Sequence, residues 1–317
     1  MLGTHRADRS LTVAALTGLR NRGAKLRATS YSEIVTLRLA AAIVSALAAA
    51  RAADLTPEQS RFIDQTRVAA LNYSKWLPNL ICNERIRRES DWGTGKMVRG
   101  DDLTVQVSYV NQKESYRVIA RGRSKADQRL ENIPGAVTQG EFGSMLRWIF
   151  EPDAQAAFEW QGESTVRDQA VVVVAYSVSA GKSRMALQAY TVAAFVAFHG
   201  TLSIDPETHL VLSLTASAEG PEGFAVRKSD VQLDYAWKPI AGHDYLVPLR
   251  AEIAMTELLA TNPMQLAPGG HIYSNESCIG CQARQRPKPV RITTQYRNHL
   301  EFSDYREFTA NSKVTFK

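Results

Sequence analysis

The residues with the clearest chemical potential are Cys278 and Cys281, in the run Cys278-Ile279-Gly280-Cys281. Two thiols at this spacing have three uses. A redox pair calls for a setting such as a helix N-terminus that holds one thiol as thiolate. Asn275-Glu276-Ser277 before the pair and the Gln/Arg/Pro run after it give no sign of such a helix. Half of a zinc site needs two further ligands; His271 is the nearest, and Cys82 would have to come from afar. A structural disulfide is the third use, and an oxidising compartment favours it. No His follows the pair as haem attachment requires. The third cysteine, Cys82, sits in an apolar run and reads as a small core residue, not a nucleophile.

Other patterns carry less. Gly181-Lys182-Ser183 imitates the end of a phosphate loop, but Tyr176 stands where the earlier Gly is required. There is no G-x-S-x-G elbow and no H-E-x-x-H. His199, His209, His243, His271 and His299 are scattered and suit turns and surface positions. Nothing pairs two carboxylates at a cleft. The sequence specifies no reaction, no catalytic residue and no cofactor, and a binding role is favoured over catalysis.

Composition narrows the class. The 317 residues are 44% hydrophobic and 22% charged, ordinary for a globular chain. The net charge of +6 is misplaced for a nucleic-acid binder. Eight of the 38 basic residues and two of the 32 acidic ones fall in residues 1–52, so the remainder holds 30 of each. A basic face is therefore not indicated, and no nucleic-acid partner is expected. Leu37 to Ala50 is apolar and has the length of a signal-peptide h-region; Ala50-Arg51-Ala52 fits small-x-small cleavage, placing the cut near Ala52. Residues 1–52 thus read as a signal peptide with an Arg-rich extension. A membrane anchor or an amphipathic helix is the other reading. The expected location is exported, periplasmic or outer-envelope associated.

Residues 53–317 read as one domain. Thr56-Pro57-Glu58-Gln59 opens a helix with a capping box, and Phe62, Ala69, Tyr73, Trp76 and Leu77 recur near helical spacing until Pro78 stops it. Leu80 to Arg88 is the first strand. Leu103–Val110 and Tyr116–Ala120 form a hairpin across Asn111-Gln112, and Arg121–Gly135 reads as a loop. Thr138 and Glu141 look like a second capping box before a stripe of Phe142, Met145, Leu146 and Ile149. Phe158–Glu163 and Ala170–Val178 pair next, the latter read as a central strand covered on both faces. In the following hairpin Asp205-Pro206 opens the turn and His209 takes positive φ. Pro248 marks an edge or a bulge. Residues 259–291 form a Pro/Gly/Cys insertion, and Thr293–Phe302 returns to the sheet. Two amphipathic helices and about ten strands predict an α+β fold: a large curved antiparallel sheet, half-barrel-like, with helices on its concave face.

The body resembles a family of exported bacterial proteins of unknown function. The likeness rests on Tyr73–Cys82 (YSKWLPNLIC), Gln112–Tyr116 (QKESY), Thr138–Leu146 (TQGEFGSML), Asp234-Tyr235, Leu246–Leu249 (LVPL) and Asn298–Phe302 (NHLEF). It covers nearly all of the chain after residue 55, departs at the 259–291 insertion, and implies no activity. At fold level the helix-then-sheet order and the Ile204–Thr208 hairpin resemble periplasmic lipoprotein carriers and envelope-stress sensors. That resemblance implies an apolar cavity for acyl chains; Phe142, Met145, Leu146, Trp148 and Ile149 are the candidates to line it, and plain core is the favoured reading of such a stripe. The expected partners are then a lipid or lipoprotein acyl chain. The alternatives are an envelope protein contacted by a filled-core module, and a thiol or metal role for Cys278, Cys281 and His271.

Overall fold

Period-2 alternation builds most of this molecule. Leu80, Cys82, Glu84 and Ile86 are buried along one strand, while Ile81, Asn83 and Arg85 between them are not. The computed structural model describes residues 12–15, 55–133, 135–189, 192–261 and 290–308. Its strands are β1 (Thr12–Ala15), β2 (Leu80–Asp91), β3 (Val98–Val110), β4 (Lys113–Arg121), β5 (Ser124–Arg129), β6 (Ala157–Val166) and β7 (Gln169–Val178). There follow β8 (Ala186–Ala189), β9 (Val192–Phe195), β10 (Phe198–Ile204), β11 (Val211–Glu219), β12 (Val226–Ile240), β13 (His243–Thr261) and β14 (Val290–Glu307). Among the described residues the α-helices are α1 (Pro57–Trp76) and α2 (Ser144–Phe150).

Eleven strands form one open antiparallel sheet in the order β5-β4-β3-β2-β14-β13-β12-β11-β10-β7-β6. The chain runs outward from β2 to the edge at β5. It then crosses to the opposite edge, β6, through residues 130–156, and works back until β14 pairs with β2. The short strands β1, β8 and β9 make a separate three-stranded sheet. With helices of only 20 and 7 residues, the described fold is mostly β, where α+β was expected.

Register explains the single buried face. Glu84 pairs with Val105 and Phe302, Leu300 with Ala251, Ala251 with Leu233, and Leu233 with Leu214. Directly opposed residues share a face, so burial runs unbroken from strand to strand. The other face carries Arg85, Arg87, Glu301 and Glu252, as a one-sided antiparallel sheet does. At one edge, β5 exposes Lys125 and Arg129, which blunts its pairing capacity.

The Asn111-Gln112 and Asp205–His209 turns form where the sequence places them. Asn111-Gln112, Arg167-Asp168 and Ala241-Gly242 all have positive φ, and so does His209 at 58°. Asp205 Oδ1 accepts from the Glu207 and Thr208 amides and fixes that turn. Pro248 sits at a bulge opposite Tyr235, well inside the sheet. The Thr56/Gln59 capping box forms as read, with Gln59 Oε1 2.9 Å from the Thr56 amide.

Four expectations give way. Arg121–Gly135 holds strand β5 and a 3-10 turn at Leu130–Asn132. The second capping box does not form: α2 starts at an N-cap Gly143 with φ 112°, with no side-chain cap. Glu141 is instead buried against the sheet. Trp76, counted in the apolar stripe of α1, is 56% exposed, and the buried face is Ile63, Thr66, Ala69, Ala70, Tyr73 and Ser74. Strand β7 lies next to the edge, not at the centre, although Val171 and Val172 are both buried.

Candidate functional site

Cys278, Cys281 and His271 lie outside the described residues. Cys82 is a free thiol, 1% exposed, and burial pushes its pKa far up, so it is core and not nucleophile. Phe142, Met145, Leu146, Trp148 and Ile149 are each 6% exposed or less and belong to the main core. Phe142 stacks on Tyr109 of β3 at 5.9 Å and meets Phe302 of β14 edge-on at 6.0 Å. None of the five lines the groove described next.

That groove lies where α1 ends and the β12–β13 hairpin turns. It encloses about 220 Å³ and is lined by Tyr73, Trp76, Leu77, Leu210, Trp237, Asp244, Tyr245 and Leu246. Pro78 ends α1 in an extended Leu77, which leaves Trp76 on the rim. On the hairpin Trp237 pairs with Leu246 in the β12–β13 register, and Trp237 is 49% exposed. The walls are apolar or aromatic apart from Asp244. Two half-exposed indoles facing one concavity give a surface that gains by covering hydrocarbon.

Beneath the groove lies a cluster of carboxyl groups. Glu84 on β2 and Glu141 in the crossover are both 0% exposed. Neither oxygen of Glu84 has a hydrogen-bond partner. Tyr116 on β4 bridges Glu141 Oε2, at 2.5 Å, and Glu114 Oε2, while the Gly140 amide donates to the same phenol at 2.9 Å. A phenol has one proton to give and already accepts one here. It can bond both carboxyl groups only if one of them carries a proton of its own. Burial pushes Glu84 well above the usual carboxylate range and also raises Glu114. It pushes Glu141 up to about 7, with the charge of Glu114 adding to the rise. Tyr235 donates to the Glu141 carbonyl at 3.0 Å, and Ser144 Oγ donates to Glu114 at 3.2 Å. The cluster therefore ties the crossover to β4 and β12.

Sequence reasoning missed both features. The alternation that marks Glu84 as inward was legible, since it falls between Cys82 and Ile86 in LICNERI. The Tyr116–Glu141 contact, 25 positions apart, had no local signal.

Comparison with known proteins gives no family model that matches and no match among curated proteins. Among solved structures, the chain is similar to a DUF1329 family protein from Desulfovibrio piger, at 10% identity and a TM-score of 0.33, over 79% of this chain and 95% of that one. It is similar to a putative outer membrane lipoprotein-sorting protein domain from Vibrio parahaemolyticus, at 10% identity and 0.33, over 79% and 93%. It is also similar to a LolA superfamily protein from Nitrosomonas europaea, at 9% identity and 0.28, over 79% and 93%. Among the described residues no helix is long and apolar enough to cross a membrane, and no group of side chains has the geometry to hold a metal ion.

Proposed function

We propose that this is an exported binding protein that holds a short stretch of hydrocarbon, from a lipid or a lipoprotein acyl chain, in the Trp76–Trp237 groove. The observation that carries this reading is the pair of half-exposed tryptophans, one from α1 and one from β12, lining one apolar concavity. Size sets its limit. The groove's 220 Å³ exceeds the ~150 Å³ of a cavity that takes one benzene, but falls below the ~300 Å³ at which pockets for whole small molecules begin. It suits one chain segment rather than an entire lipid. At about 0.8 kcal/mol per buried methylene, six methylenes yield about 5 kcal/mol before the cost of association. Such a grip is weak and reversible, as a carrier needs.

In this reading residues 53–317 are a single half-barrel-like domain, released by cleavage near Ala52 that removes β1 and leaves β8 paired with β9 alone, and α1 and α2 fill the hollow of the sheet. Curvature is supported by α1 itself. Phe62 meets Trp160 on β6, and the Ser74 carbonyl accepts from Tyr109 on β3 at 2.6 Å. Those two helix positions are about 18 Å apart along the axis. The eight strand spacings between β3 and β6 would span about 38 Å if the sheet were flat. The stripe of Phe142, Met145, Leu146, Trp148 and Ile149 then anchors the crossover, and ligand enters at the groove.

The test is titration with N-phenylnaphthylamine, an apolar fluorescent probe, together with organic extraction and mass spectrometry of natively purified protein. Trp76→Ala and Trp237→Ala should each weaken probe binding about tenfold, equivalent to ~1.4 kcal/mol. Binding unchanged in both variants removes the groove as the site.

A further inference from the structure

The groove and the carboxyl cluster share a side chain. Tyr73 lines the groove and packs edge-on against Tyr235 with ring centroids 5.6 Å apart. Its hydroxyl is buried without a hydrogen-bond partner. Its Cδ1 lies 3.0 Å from where a Cβ on Gly143 would stand, so only a glycine lets the crossover lie this close to α1. Gly143 follows Glu141 by two residues, and Ser144, bonded to Glu114, comes next. The segment 140–144 is thus clamped between the carboxyl groups on one side and Tyr73 on the other.

We infer that Glu84, Glu114 and Glu141 form a proton-operated latch on the groove, an inference that rests on the groove being the ligand site. With a proton shared through Tyr116, segment 140–144 is held to β4 and β12, and α1 seats against it. When the protons leave, like charges meet in a space that offers Glu84 no donor. The clamp loosens, Tyr73 loses its backing, and the α1 wall of the groove gives way. Hydrocarbon is held at lower pH and released at higher pH.

The groups facing the cluster fit this account from every side. Cys82 lies beside Glu84 on β2 and Tyr305 comes from β14. Tyr109 on β3, Tyr235 on β12 and Tyr73 on α1 all feel the charge of Glu114. Thr138 faces Glu141, and Arg147 on α2 acts on Tyr109. Burial raises the phenols, so they stay neutral while the carboxyl groups titrate.

N-phenylnaphthylamine affinity, measured from about pH 5.5 to about pH 8.5 at fixed ionic strength, tests the latch, because the probe itself does not titrate in that range. Wild type should lose about tenfold in affinity across it, and Glu141→Gln should keep the low-pH affinity throughout. Hydrogen exchange of the α1 amides without ligand is the second readout, corrected for intrinsic exchange. Protection should fall through about pH 7 in wild type and not in Glu141→Gln. Glu84→Gln replaces Glu141→Gln should the latter fail to fold. Probe affinity independent of pH overturns the latch and leaves the groove standing. No probe binding at any pH, with α1 protection still pH-dependent only in wild type, overturns the groove and leaves the cluster as a latch on α1. No probe binding at any pH, with α1 protection flat across pH as well, overturns both.

Discussion

Two buried carboxylates of this protein live in opposite circumstances. Asp234 on β12 is 3% exposed, yet it accepts from Arg250 Nε at 2.7 Å and from Ser213 Oγ at 2.6 Å, and Arg167 stands 3.5 Å away. Glu84 on β2 is 0% exposed and has no partner for either oxygen. The first is a charge kept inside by its counter-charges. The second is tolerated only while it holds a proton. The two guanidinium groups reach Asp234 because their stems come from the solvent side. Glu84 points into the face that α1 and the crossover cover. Equal burial therefore teaches nothing about charge until the neighbours are counted.

The largest expected effect that can break this contrast is the pH dependence of stability. The carboxyl of Glu141 is raised from 4.5 to about 7 in the fold. Below 4.5 the folded and unfolded chains both carry the proton, and it contributes no difference. Between 4.5 and about 7 the unfolded chain sheds the proton and the fold retains it, so stability falls as pH rises. At about 1.4 kcal/mol per unit the loss from this group is about 3 kcal/mol, and Glu84 extends it upward. Urea denaturation between about pH 4.5 and about pH 8 should show this decline. Stability that rises over that interval means the cluster has a counter-charge and the contrast fails.

Asp234→Ala comes next. It leaves Arg250 and Arg167 facing an empty place, but their side chains are 58% and 34% exposed and water can repair part of the loss. The expected destabilisation is about 1–3 kcal/mol by urea denaturation at neutral pH. Glu84→Gln sharpens the other side. It should raise stability by about 1–2 kcal/mol at about pH 8 and change little at about pH 5, because an amide has no proton to lose. A variant less stable at the higher pH counts against a neutral Glu84. The smallest effect is Trp237→Ala, within about 0.5 kcal/mol of wild type in stability even as probe binding weakens, since its indole rests half in solvent.

The same contrast governs what could be read from sequence. Local rules succeeded where the determinant was local. Thr56 and Gln59 cap α1, the Asn111-Gln112 turn forms, and His209 does the work of a glycine. The Leu103–Val110 and Tyr116–Ala120 hairpin forms as read. The failures are tertiary. Thr138 and Glu141 had the spacing of a capping box, but the energy of packing Glu141 against Tyr116 outweighed a surface cap, and α2 began at Gly143 instead. Strand β5 has no strand signal in its sequence because an edge strand with few buried positions needs no apolar alternation. Trp76 had helical spacing with Tyr73, but nothing in α1 says that the neighbouring hairpin stops short of covering it. The groove exists because of that shortfall.

The junction of β2 with β14 bears on how the chain reaches this state. Asn83 bonds Asp304 across 221 positions, and every strand between them must be placed before that seam can close. Loop closure over such a separation is entropically costly and is repaid only late. The folding rate should therefore lie in the slow range of all-β topologies, milliseconds to seconds or longer. Until its last long strand is available, the nascent chain cannot complete the sheet. Under the export proposed above, that delay is time in which the chain can be threaded across a membrane before it folds.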